Sequence, residues 1–184
     1  GEKKPAEVKI HRQPKTPRNY ERVDHVLDFL RVINKHGDKV VYSYFDKKRN
    51  VKDMTYASLV RRVKRMAAAL TKQGFAGKRI ALIGENSPMW MITYLAVLAT
   101  GGVSIPMDKE LEISAIEGFL DGVDAEGILY SSSFNGKFTA TMKNHRTLKL
   151  FMPIDPDEAE LANEGVIPYR KMMELGKEEV AAGY

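Results

Sequence analysis

Apolar residues recur along this chain with two periods. Val23, Val26, Leu27, Leu30 and Ile33 follow helical spacing, which predicts a helix over 23–34 ended by Gly37. Residues 40–45 and 51–55 read as strands joined by a polar turn at 46–50, a hairpin. A stripe of Leu59, Val63, Met66, Ala67 and Leu70 predicts a strong helix over 57–73, with Gly74 as its left-handed stop.

Short apolar runs then alternate with helical patterns. Strands are expected at 80–83, 103–107, 127–130 and 148–152. The intervening helix at 89–99 opens with Ser87 as cap and Pro88 at its first position. It is apolar almost all round, so it must be buried or meet another surface. Ile113, Ile116, Phe119 and Leu120 mark a helix ending near Gly122. Ser133 caps another, carrying Phe134, Phe138 and Met142. An acidic loop at 155–164 leads to a short helix over 169–175. This strand–helix rhythm predicts an α/β fold: a doubly wound, mainly parallel sheet with helices on both faces, preceded by a helix and a hairpin.

Composition narrows the class. The chain has 184 residues, is 43% hydrophobic and 29% charged, and so has enough apolar material for one domain with a core. It has no cysteine, which excludes disulfides and thiolate metal sites. No apolar run nears the roughly 18 residues that cross a bilayer, and there is no signal-peptide pattern. A cytoplasmic location is expected. The net charge is +5, and residues 1–19 hold six Lys or Arg against two Glu, so the leader carries most of it. This basic, proline-containing leader reads as extended and solvated. It leaves peripheral contact with acidic lipid headgroups open. The near-neutral body argues against a nucleic-acid binder.

Candidate chemistry is sparse. Gly84-Glu85-Asn86-Ser87 lies between a strand end and a helix start, where α/β folds hold phosphate. It has one glycine instead of three spaced ones, so helix capping is the stronger reading. The 131–137 segment ends in Gly136-Lys137 but lacks the first glycine and the magnesium hydroxyl of a Walker loop. Arg61, Arg62, Lys64 and Arg65 fall off the apolar stripe and read as a solvated face. His11, His25, His36 and His145 make no ligand pair. Trp90, Met89 and Met91 suit core packing better than an acyl channel.

Two blocks carry a family resemblance. One is Thr55, Tyr56 and Leu59; the other is Leu98, Gly101, Pro106 and Asp108. Their order and spacing resemble the opening of the adenylate-forming enzymes, which include acyl-CoA synthetases, peptide-synthetase adenylation domains and luciferases. The run from Glu85 to Trp90 is most similar to long-chain fatty-acid–CoA ligases. The resemblance implies a parent enzyme that activates a fatty acid with ATP and Mg to an acyl-adenylate and passes it to CoA. It also implies that 20–184 is an N-terminal subdomain ending before the phosphate loop, the magnesium-holding Thr-Glu pair, the ribose-binding Asp and the late Lys. No catalytic or metal residue is therefore expected here, no cofactor bound by the chain alone, and no ligase activity from it.

The resemblance implies one surviving contact. In related ligases the CoA nucleotide lies near the loops after the second and third sheet strands, which makes Lys109 and Lys137 candidate phosphate contacts by position. Other readings are a ligase for another carboxylate, an amino-acid adenylation domain, or a non-catalytic flavodoxin-like binding module. The remaining subdomains of the parent are expected partners. Without them, apolar surface including part of the 89–99 helix is expected to be exposed and to drive self-association.

Overall fold

The computed structural model describes residues 21–139 and 143–184. The leader at 1–19 and Met142 lie outside these. Helix α1 spans Val26–Asn34, followed by the hairpin strands β1 (Val40–Phe45) and β2 (Val51–Thr55) and by helix α2 (Tyr56–Lys72). Then come β3 (Arg79–Ile83), α3 (Pro88–Ala99), β4 (Val103–Met107), α4 (Ile113–Gly122) and β5 (Gly127–Tyr130). A 3₁₀ turn at Ser132–Phe134, β6 (Leu150–Pro153), α5 (Glu158–Leu161) and α6 (Tyr169–Ala181) complete the order.

Strands β4, β3, β5 and β6 lie side by side in that order, all parallel. Side-chain alternation splits them between two cores. Ile80 and Leu82 of β3, Leu129 of β5, and Leu150 and Met152 of β6 face the core built with α1, α2, α3 and α6. Ala81, Ile83, Ile128, Tyr130 and Phe151 face the opposite core, with Ile116 and Leu120 of α4 and with Phe134 and Phe138. The hairpin forms a separate antiparallel pair, with Phe45 opposite Val51 at its turn end.

The expected fold class is what the chain adopts, and most element boundaries fall close to the pattern. Four expectations change. Helix α1 starts three residues later than its spacing suggested, because the His25 ring accepts from the Asp28 backbone N–H at 3.3 Å and caps it there. Val23 is left outside, 44% exposed. In place of the first part of the helix expected from Ser133 the chain forms a 3₁₀ turn and further turns over 132–138, where Gly136 adopts φ +76°, and the end of that expectation at Met142 lies outside the described residues. Phe134 and Phe138 nevertheless stack at 5.4 Å and remain buried. The acidic loop contains α5, whose N-cap Asp157 accepts from the Glu160 N–H at 2.7 Å. Helix α6 runs past Leu175 through Gly176 to Ala181.

No residue of α3 is fully exposed, although Met89, Trp90, Met91, Tyr94, Leu95 and Leu98 are only half-buried. Exposed apolar positions lie elsewhere, among them Leu27 and Phe29 on α1, Val40, Phe45 and Val51 on the hairpin, Val103 on β4, Phe119 on α4 and Leu161 on α5.

Candidate functional site

Strands β3 and β5 are neighbours, yet the chain leaves them toward opposite faces. After β3 it enters α3 on the α2 side; after β5 it enters the Phe134 turn on the α4 side. Such a divergence at the carboxyl ends of parallel strands is where open α/β sheets place ligands. Here the two departing loops touch. A Cβ on Gly84 would stand 2.6 Å from the Ser131 hydroxyl oxygen, and Gly84 itself has φ +133°. Glycine is required at that crossing on both counts.

The loop after β3 behaves as a helix start. The Ser87 hydroxyl accepts from the Trp90 N–H at 3.2 Å. Glu85 turns its carboxylate back to its own backbone N–H and to the Ser131 hydroxyl, with Lys109 adding to them, and these hold it below the usual carboxylate range. Lys109 sits beside a shallow cavity of about 330 Å³, lined also by Gly84, Glu85, Asn86, Met107 and Asp108. Its Nζ lies 3.5 Å from Glu85 and 3.7 Å from Glu110. Lys137 lies on the other loop, its Nζ 5.3 Å from the centre of the Phe134 ring. The two lysines thus border the same end of the sheet from separate loops.

A buried carboxylate ties the second loop down. Glu160, 1% exposed, accepts from the Tyr130 hydroxyl and from the Gly136 N–H at 2.7 Å. Burial, reinforced by the bond to Glu160, pushes the Tyr130 phenol well above its ordinary range, so it stays a donor. Glu160 therefore sets the shape of the segment that presents Lys137. Nothing in the sequence pattern marked it, since a Glu in an acidic stretch reads as solvated.

A larger cleft, about 950 Å³, opens between the hairpin, α2, the start of α3 and the start of α6. Tyr42 and Tyr44, ring centres 6.2 Å apart, form one wall, and Met89 and Met173 line it as well. Arg62 and Arg65 of α2 reach it, while Arg61 and Lys64 are exposed. The basic cluster is therefore not one solvated face. Its members split by helical phase, and since 61/64 and 62/65 share the same spacing of three, only the packing of α2 distinguishes the inward pair.

At this level the molecule is an open parallel α/β unit whose strand carboxyl end is covered by the loops after β3, β4 and β5. The sequence profile described as AMP-binding enzyme matches residues 29–181, and the chain belongs to that family. Among curated proteins, it is 28% identical over 122 residues to nonribosomal peptide synthetase 1 of Aspergillus fumigatus, a match covering 66% of this chain and 2% of that protein. It is 32% identical over 79 residues to a feruloyl-CoA synthase of Amycolatopsis sp., covering 42% of this chain and 16% of that protein. Its fold matches the adenylation domain of a carboxylate reductase from Mycobacterium chelonae with a TM-score of 0.73 at 17% identity, over 86% of this chain and 30% of that one. The chain thus spans a minor part of each relative, and its fold is that of the N-terminal subdomain of adenylate-forming enzymes.

Proposed function

We propose that residues 20–184 are the N-terminal subdomain of a larger AMP-forming ligase that activates a carboxylate with ATP and transfers the acyl group to CoA. The family match across 29–181 carries this reading. We place its substrate among long-chain fatty acids, on the similarity of the Glu85–Trp90 run to such ligases. A specific observation favours a second reading, an aryl carboxylate: one curated relative is a feruloyl-CoA synthase.

The residues described here do not fit an ATP–magnesium site. Gly84 is closed off by Ser131, Glu85 places a carboxylate at the loop, and Pro88 lacks a backbone donor. Among the described residues no group of three His, Cys, Asp or Glu stands together for a metal. ATP, Mg and the adenylation chemistry are therefore assigned to the rest of the parent. Lys109 and Lys137 are proposed to border the CoA nucleotide. We place the parent in the cytoplasm with peripheral membrane contact; among the described residues no helix is long and apolar enough to cross a bilayer.

The test is made on the full reading frame containing this chain. Pyrophosphate exchange with ATP is measured with palmitate, ferulate and amino acids, followed by CoA thioester formation. Preference for palmitate is the expected result, and preference for ferulate or an amino acid overturns the fatty-acid assignment. Lys109→Ala and Lys137→Ala are expected to raise KM for CoA while leaving exchange unchanged. No exchange with any carboxylate would overturn the ligase reading itself.

A further inference from the structure

The cleft beside the hairpin holds two cations that no described residue neutralises. Four basic side chains line it: Lys47, Arg62, Arg65 and Arg170. Lys47 pairs with Asp155 at 2.7 Å, and Arg170 pairs with Glu174 at 3.7 Å. Asp46, the other acidic residue of the lining, is held by the backbone N–H groups of Lys48 and Asn50, which lower its pKa. Among the described residues Arg62 and Arg65 have no ion-pair partner, and both are half-buried. Half-buried guanidinium groups without a counter-charge lose hydration and gain no partner, a cost that an anion would remove.

A third group points the same way. The Tyr169 hydroxyl is buried and has no hydrogen-bond partner among the described residues. Burial holds its phenol well above the ordinary range, with nearby Arg62 acting against that rise, so it is a neutral donor at physiological pH. Buried polar atoms are almost always satisfied, so an orphan hydroxyl next to an unpaired arginine marks a place for an acceptor. The N-terminus of the twelve-residue helix α3 opens onto the same cleft and adds positive potential. Tyr42, Tyr44, Met89 and Met173 add apolar surface to the same lining.

We propose that this cleft binds a phosphate monoester carried on a flat apolar body, with Arg62 and Arg65 contacting the phosphate, the Tyr169 hydroxyl donating to it, and the Tyr42–Tyr44 wall covering the body. Two unpaired guanidinium groups match a dianion better than a single-charge carboxylate, and a phosphate monoester carries about −1.5 to −2 at neutral pH. The site includes neither Lys109 nor Lys137 and does not rest on the ligase reading.

The test is a calorimetric titration of the 184-residue chain with phenyl phosphate, benzoate and inorganic phosphate. One saturable phenyl phosphate site per chain is expected, with benzoate and inorganic phosphate weaker. Loss of one charge-assisted contact corresponds to about tenfold in affinity, so Arg62→Gln and Arg65→Gln should each weaken binding by about that factor. Tyr169→Phe should weaken it severalfold, and Arg61→Gln, on the exposed face, should leave it unchanged. Where an arginine variant loses its helical signal, Tyr169→Phe and Arg62→Lys decide in its place, and the lysine variant should retain part of the affinity. Absence of saturable binding at millimolar phenyl phosphate overturns the proposal. So does equal weakening by Arg61→Gln, or benzoate binding as tightly as phenyl phosphate.

Discussion

Gly176 of α6 lies directly against the backbone carbonyl of Arg65 on α2; a Cβ at that glycine would stand 1.8 Å from the Arg65 oxygen. The two helices cross at this point with nothing between them. The contact fixes where α6 begins relative to α2, and so brings Tyr169 to the cleft that Arg62 lines.

This crossing makes opposite predictions for two helical glycines. Gly176→Ala forces the helices apart, and overpacking of this kind costs about 1–3 kcal/mol, outweighing the helix-propensity gain. Gly118 of α4 has nothing within 4 Å of where its Cβ would be. Gly118→Ala should therefore raise stability by up to about 1 kcal/mol. Urea unfolding of the two variants checks both signs, and a neutral Gly176→Ala would mean that the close crossing is not held in solution.

Glu160 supports a second prediction. Its carboxylate satisfies the Tyr130 hydroxyl and the Gly136 N–H in a fully buried setting. Glu160→Ala strands both donors, at about 1–3 kcal/mol each. The variant should unfold at markedly lower urea, and the Gly136 amide should exchange faster in hydrogen exchange. Unchanged exchange at Gly136 would show that the loop is held by other means.

The fold was largely legible because strand and helix periods differ and the chain keeps them separate. Ile80–Ile83 declared a strand covered on both faces, and Ser87-Pro88 declared a helix start. Misses came where a tertiary contact overrode the local signal. The helix expected over 169–175 runs on through Gly176, whose missing side chain serves the packing on Arg65. Phe134 and Phe138 looked helical at a spacing of four, yet Gly136 between them turns the chain while both rings stay in the core. The candidate sites were less legible. Lys109 and Lys137 were named from position, whereas Arg62, Arg65 and Tyr169 meet only because α2 and α6 cross, and no spacing along the chain encodes that.

Alkaline titration gives a signed prediction. Tyr130 and Tyr169 have folded-state pKa values above the ordinary value of 10.0, in both cases chiefly through burial. A group whose folded pKa is raised contributes its stability in full below the unfolded pKa and loses it as pH climbs through the folded one. Stability should therefore be flat up to about pH 10 from these two groups and should fall above it. Their tyrosinate absorbance should appear together with unfolding, and Tyr130→Phe should reduce the alkaline slope. Early, fully reversible ionisation of all the tyrosines below the unfolding transition would contradict their burial.

The last prediction concerns association. Phe45 and Val51 are register partners at the turn end of the hairpin, 74% and 64% exposed. Tyr42 and Tyr44 turn the other side of β1 toward the cleft and are half-buried. Among the described strands, β1 and β2 pair only with each other, so each has an open outer edge. An open strand edge beside exposed apolar residues is a template for pairing with another chain. Lys47, Lys48 and Arg49 at the turn oppose it by like-charge repulsion, which salt screens. Self-association should therefore rise with both protein and salt concentration in sedimentation velocity. Phe45→Lys should suppress it, because it removes apolar area and adds repulsion at the same edge. Leu161→Lys, which replaces an apolar residue 51% exposed on α5, should not. A monomer at all salt concentrations would rule out the hairpin as an association surface, and equal suppression by Leu161→Lys would locate the effect in net charge instead of the hairpin.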